Sequence, residues 1–354
     1  HQDLLLANIE NLDIKCNIID YEHQEQINDV SGVHVLLGKK TYNLKFELSS
    51  KDLVLGTEIS KKEFNAEEFY FTPKTDETFL SFYGFYETKL RKLDIDFLSS
   101  FRLGYLEVSP DKDYQHDNFT SDQIKDRSFE STSFSFGFRK KIKKIEINSW
   151  LMHTMRPPRV EELYSDGPHL GAYAFEIGNP DLDIEKIYGI ENSISYSNNS
   201  INLSLVTFYN YSPYFFQMTP DGYCGEIENW TDFQWLTQGH PCGGVDWIDW
   251  GSPPLGWLYE YSPKGNEVVI RGIEASLGYS LNNFELDYYF SLTRGDNKTL
   301  RLPLSYMNPT KQILNLGYSK NLMNYKVRFI NIHEQDRLGE FETYTPGAFL
   351  VDLI

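Results

Sequence analysis

No stretch of this chain approaches the ~18 consecutive apolar residues that a membrane-spanning helix needs, and mean hydropathy is negative, so a helical membrane protein is excluded. A transmembrane β-barrel survives that test, because only alternate residues of each of its strands meet lipid. Cysteine is scarce. Cys16, Cys224 and Cys242 make neither a disulfide framework nor a zinc-finger spacing. Basic residues are outnumbered, 33 against 51 acidic ones, and the formal charge of −18 argues against a nucleic-acid partner, which needs a basic face. Such charge either serves plain solubility or raises the local concentration of cations. The chain also has no Gly-rich phosphate loop, no repeat of 20 to 50 residues and no helical stretch. No spacing of Ser, His and Asp or of paired carboxylates nominates a catalytic centre, so the chain does not read as an enzyme. It opens on His1 without a signal peptide, and its beginning is expected to be missing.

What is abundant is aromatic: Tyr and Phe occur 24 times each, a β-rich bias. The dominant pattern has period two. Tyr188, Ile190, Ile194 and Tyr196 share one face while Gly189, Glu191, Ser193, Ser195 and Ser197 share the other. Ile273, Ala275, Leu277, Tyr279 and Leu281 repeat the pattern, as do Phe284 to Leu292 and the Phe134, Phe136, Phe138 run. Strands of about 10 residues with one apolar face and aromatic tips suit a tilted crossing of a bilayer.

Connections alternate in length. Tight ones fall at 49–52, 90–92, 139–144, 198–200, 282–283 and 321–324, and long polar ones at 22–39, 62–76, 108–127, 155–183, 213–266, 294–309 and 334–345. The pattern predicts an all-β, antiparallel up-and-down transmembrane β-barrel of about 15 strands, with short periplasmic turns and long extracellular loops. Within 213–266, Cys224 and Cys242 bracket a segment rich in Trp, Gly and Pro, and a bridge between them would close that loop in an oxidising compartment. Trp230, Trp235, Trp247, Trp250 and Trp257 read as loop packing in preference to a ligand platform. Cys16, inside a strand pattern, reads as a buried or lipid-facing thiol.

The segment from Arg156 to Leu182 reads RPPRVEELYSDGPHLGAYAFEIGNPDL and is followed by Glu185. It resembles the signature of TonB-dependent outer-membrane receptors, and its Gly-Pro-His-Leu is similar to the branch that takes up zinc and related metals. The resemblance extends through DYEHQEQ at 20–26, GTEISKKEFNAEEFYFTPKT at 56–75, RLPLSYMNPTK at 301–311 and GEFETYTPGAFLVDL at 339–353. It implies that residues 1–354 are part of a barrel of about 22 strands in the Gram-negative outer membrane. The N-terminal plug, its TonB-contacting box and the last strands are then expected outside this chain. Expected partners are the TonB complex, outer-membrane lipid and a transported metal ion, zinc or an iron complex, or metal chelate; the receptor is expected to be a monomer with no cofactor.

Pro157 and Pro158 are read as ending a strand, and Gly178, Asn179 and Pro180 as a turn before the next. His169, in a polar loop beside Asp166 and Glu176, has little core to satisfy, and by analogy with the metal-uptake branch it is expected to be a ligand. His23 and Glu25, at i and i+2 of an extended chain, point to one face and could share an ion; the alternative is an exposed polar loop. A passive porin-like channel would share the alternation and loop asymmetry, and a siderophore, cobalamin or oligosaccharide fits the receptor reading as well.

Overall fold

The computed structural model describes residues 9–26, 34–67, 72–113, 118–120, 122–169, 174–220, 247–249, 257–321, 323–339, 342 and 344–353. Its strands in chain order are β1 Asn11–Gln26, β2 His34–Ser49, β3 Leu53–Glu67, β4 Thr75–Leu90, β5 Ile95–Pro110, β6 Arg127–Ile142, β7 Ile145–Arg156, β8 Asp166–His169 and β9 Ala174–Ile177. They continue with β10 Glu185–Ser197, β11 Ile201–Pro220, β12 Trp247–Asp249, β13 Trp257–Leu281, β14 Phe284–Asn297, β15 Leu302–Pro303, β16 Lys311–Lys320, β17 Met323–Ile332 and β18 Ala348–Leu353. One short helix, α1 Val160–Tyr164, precedes β8. Setting aside β8, β9, β12 and β15, which have two to four residues each, every long strand pairs antiparallel with the next long strand in the chain. The result is one continuous meander. Among the described residues no pairing joins β18 to β1, so the sheet is an open arc.

Period two explains the two faces. Reading across β1 to β5, Ile14, Phe46, Thr57, Phe82 and Leu103 lie in one register row, with Ile14, Phe82 and Leu103 strongly exposed. The adjacent row is Lys15, Lys45, Glu58, Ser81, Gly104 and Ser131. The first face continues through Phe134, Leu151, Ile190, Leu205, Ile273 and Leu316, all exposed. An apolar band of that extent is untenable in water and is what lipid requires. The second face is polar and bonded: Arg102 Nη2 reaches Glu58 Oε2 at 2.5 Å and Ser81 Oγ at 2.9 Å, Asn43 Nδ2 donates to Glu58 at 2.6 Å, and Tyr83 OH donates to Glu47 at 2.9 Å. Tyr83 lies over Gly56, leaving no room there for a Cβ.

The tight turns fall where the sequence places them, except that the one read at 90–92 extends to Asp94 before β5 begins at Ile95. Asp94, Lys143, Asn282 and Asn321 carry positive φ of 51° to 56°, the left-handed conformation that such turns need. The strands are longer than expected, with β2, β4, β5 and β6 each of 16 residues. The crossing needs about 10, so these strands project beyond the bilayer. Accordingly most long connections are shorter than the sequence suggested, whereas the one read at 334–345 runs from 333 to 347. The one expected to start at 213 starts after Pro220, because β11 passes Pro213 through a register shift between Ser212 and Phe215. A bulge is where a strand tolerates proline.

Candidate functional site at the barrel mouth

At Arg156 the β7 strand stops, since Pro157 and Pro158 have no amide proton for the ladder. The chain then turns to the polar-face side of the arc. Val160, Leu163 and Tyr164 of α1, with Leu182 and Ile184, pack against Phe64, Val108, Ile124, Phe129 and Phe216. Phe64 has the same strand parity as Glu58, so this apolar cluster lies inside the arc, at the end opposite the tight turns. It is the main hydrophobic core among the described residues. A segment expected to be an irregular polar loop is therefore a folded insert.

One arginine holds it. Arg156 Nε donates to Glu185 Oε2 at 2.7 Å, and its two terminal nitrogens donate to both oxygens of Glu162 at 2.9 and 3.1 Å. Its guanidinium also sits 4.6 Å from the centre of the Phe216 ring. Glu162 in turn accepts from the Arg159 amide at the start of α1, 2.8 Å, and buried Glu185 accepts from the Phe216 amide, 3.1 Å. Bidentate pairing of this kind fixes geometry as well as charge. Tyr164 OH donates to the Lys125 carbonyl at 2.8 Å, and burial pushes its pKa up to about 12. On the return path the Gly178 amide donates to Ser165 O and the Asn179 amide to Glu162 O, 2.7 and 2.8 Å. A Cβ on Gly178 would run into the Leu163–Tyr164 backbone, so the glycine of the Gly-Asn-Pro turn permits that approach. Beside the Pro157–Arg159 corner a cavity of about 670 Å³ opens against the polar wall, lined by Lys39, Glu58, Lys62, Glu77 and Phe79 among others. Lys62 and Glu77 form an ion pair there.

Of the residues singled out from the sequence, His169 and Glu176 are brought together. β8 and β9 form a small hairpin, and His169 Nδ1 lies 2.7 Å from Glu176 Oε1. β9 also runs parallel to β13 through Ala174, Phe175 and Glu176, tying the insert to the wall two strands beyond β10. Asp166, buried, accepts the amide and side-chain Nδ2 of Asn118 at 3.0 and 2.6 Å, so its carboxylate is engaged on the 118–120 segment. His23 lies on the polar face of β1, its ring 5.4 Å from that of Tyr21. Glu25 is within β1, opposite Val35, but its side chain lies outside the described residues, as do Cys224 and Cys242. Cys16 is exposed on the apolar stripe. Among the described residues no group of three or more His, Cys, Asp or Glu is gathered around one point. The Arg156–Glu162–Glu185 clamp and the Asn118–Asp166 pair were not anticipated. The spacing of Arg156, Glu162 and Glu185 was visible in the sequence, but their convergence on one guanidinium was not.

A family model described as TonB dependent receptor-like, beta-barrel, matches residues 23–354. Comparison with curated proteins gives no match. Among solved structures, the chain is similar to the copper transporter OprC, with a TM-score of 0.73 at 13% identity over 99% of this chain and 54% of that one. It is also similar to the FrpB iron transporter from Neisseria meningitidis (F5-1 variant), TM-score 0.64, 12% identity, 99% and 54% covered. A third is the Serratia marcescens hemophore receptor HasR in complex with its hemophore HasA and heme, TM-score 0.57, 12% identity, 97% and 60% covered. At these identities the likeness establishes the fold, and the chain spans little more than half the length of the structures it matches. With the family model covering nearly all of the sequence and the arc reproducing the barrel, the chain belongs to the TonB-dependent receptor β-barrel family, outer-membrane receptors and transporters and not enzymes.

Proposed function

We propose that this chain forms barrel wall and extracellular mouth of a monomeric TonB-dependent transporter that takes up a metal ion, zinc-like, or a metal chelate. The observation that carries the reading is the mouth insert, which sets His169 against Glu176 at the end of the arc where the long connections lie. A carboxylate on Nδ1 fixes the ring and its tautomer and leaves Nε2 as the lone-pair atom, the arrangement that orients ligating histidines. Two side chains do not make a resident site, and a cargo ion held briefly in transit needs fewer than four protein ligands. The excess of acidic residues is suited to gathering cations. Transporters described as carrying copper and iron share the fold, which supports a metal-containing cargo.

The test is calorimetry of zinc and copper binding to the full-length receptor, wild type against His169→Ala and Glu176→Gln. Loss of binding in the first and a weakening of roughly 10- to 100-fold in the second are expected. Equal affinity in all three removes His169 from the site. Absence of binding in all three would favour a chelate, such as a siderophore, over a bare ion.

A further inference from the structure

At the outward rim of β1 to β4, charges on the apolar face come in opposite pairs. Asp20 faces Lys40 across β1 and β2, 3.6 Å apart, and Lys61 on β3 meets Asp76 on β4 at 3.4 Å. At β13 and β14 the pattern breaks. Arg271 and Arg294 are direct cross-strand partners, and Tyr209 of β11 precedes them in the same register row. All three continue the lipid-facing stripe, two positions beyond Thr207, Ile273 and Leu292. Tyr209, Arg271 and Arg294 are exposed, and Arg294 has no ion pair among the described residues. Like charges placed opposite each other destabilise a sheet pair, and within these strands only Asp296, on the Arg271 side, offsets that cost among the described residues.

One carboxylate serves the neighbourhood. Asp296 receives Arg337 at 2.7 Å, Arg271 at 3.4 Å and Lys298 at 3.8 Å. Glu267, whose backbone is bonded to Lys298 and Thr299, is the other acid on these strand ends. Three cations thus share the Asp296 carboxylate and Arg294 pairs with none among the described residues, in a chain whose overall charge is strongly negative. The depth of the patch follows from physics. An arginine on the lipid face costs about 2–4 kcal/mol at the bilayer midplane and close to nothing at the interface, so the row must sit at headgroup level. A tyrosine in that row is at its preferred level too.

We infer that the outward Tyr209–Arg271–Arg294 row, with Arg337 and Lys298 behind it, is a binding site for the phosphate of an anionic lipid headgroup in the outer leaflet. Guanidinium groups suit phosphate because their forked donors match its oxygens. The site lies outside the barrel, apart from the mouth insert, and has no part in cargo binding. It rests on the barrel's place in the outer membrane.

The experiment uses the full-length receptor in nanodiscs of phosphatidylcholine with and without lipid A, a bisphosphorylated glycolipid. Lipid A retained on re-extraction, and its apparent Kd in detergent, are read by native mass spectrometry for wild type, Arg294→Gln, Arg271→Gln with Arg294→Gln, and Lys61→Gln. Arg294→Gln breaks no ion pair among the described residues, so its effect is on binding and not on folding. The double variant is expected to bind lipid A roughly 30-fold more weakly, Arg294→Gln alone roughly 5-fold, and Lys61→Gln like wild type. Equal retention by wild type and the double variant overturns the inference. Displacement of lipid A by an equal concentration of inorganic phosphate overturns its lipid part, leaving a free-phosphate site. A receptor that enters neither kind of nanodisc overturns the membrane placement, a failure told apart from the others because it precedes any difference between variants.

Discussion

Replacing Arg156 by alanine should release the mouth insert while leaving the barrel wall intact. The substitution removes three charge-assisted hydrogen bonds and the contact with Phe216, and it strands Glu185, whose carboxylate is almost completely buried. Breaking a fully buried pair by deleting one partner costs about 3–5 kcal/mol. The Arg156 side chain is 37% exposed, so water recovers part of that, and a local cost of about 2–3 kcal/mol is the reasonable expectation. The wall strands have their own ladders, so the loss should fall on the insert as local opening and not on the global transition. Hydrogen exchange in the full-length receptor reads this directly: amides of residues 160–165 and 174–182 should exchange roughly 30- to 150-fold faster, with β4, β5 and β6 unchanged. Arg156→Lys should behave much like the alanine variant, because an ammonium cannot satisfy Glu162 and Glu185 with a planar fork. Exchange of 160–182 at the wild-type rate in Arg156→Ala would refute the clamp.

Gly178→Ala should loosen the same insert by at least ~1 kcal/mol, since the clash is with backbone that cannot swing aside; proteolytic nicking between 160 and 182 is the measurement. On the outward stripe, Phe136→Arg should destabilise the barrel in vesicles by about 2–4 kcal/mol in a urea titration, whereas Ser135→Arg on the polar face should cost much less. Tyr164 supplies a pH prediction. Its folded pKa of about 12 lies above the ordinary value of 10, so its contribution is complete below pH 10 and is lost as pH rises toward 12. Phenolate absorbance and exchange of α1 should shift together over that window in wild type, and Tyr164→Phe should abolish the dependence.

Much of the wall was legible in the sequence because a strand between lipid and a polar lumen has no freedom in its pattern. The Phe134, Phe136, Phe138 run and the Asn282 and Asn321 turns were read correctly for that reason. Strand length was read short at the rim, where β3 carries Lys61, Lys62 and Glu63 and the lipid constraint no longer writes an apolar residue at alternate positions. The insert was harder. A five-residue helix is too brief to show a helical period, and its apolar residues find partners more than 30 positions away in Phe64, Phe129 and Phe216. The motif from Arg156 to Glu185 was visible as spacing, but nothing local says that three of its charges meet at one guanidinium. His169 and Glu176 were named from a polar loop and a family resemblance; the hairpin that joins them also pairs, through β9, with distant β13.

Those pairings suggest an order of assembly. The cluster around α1 draws on wall residues from Phe64 to Phe216 and on the β9–β13 pairing that reaches Tyr261, so it has no surface to settle on until β3 through β13 are already curved around it. The insert is therefore expected to seat after those strands, and burial of Tyr164 to report that this part of the wall is in place.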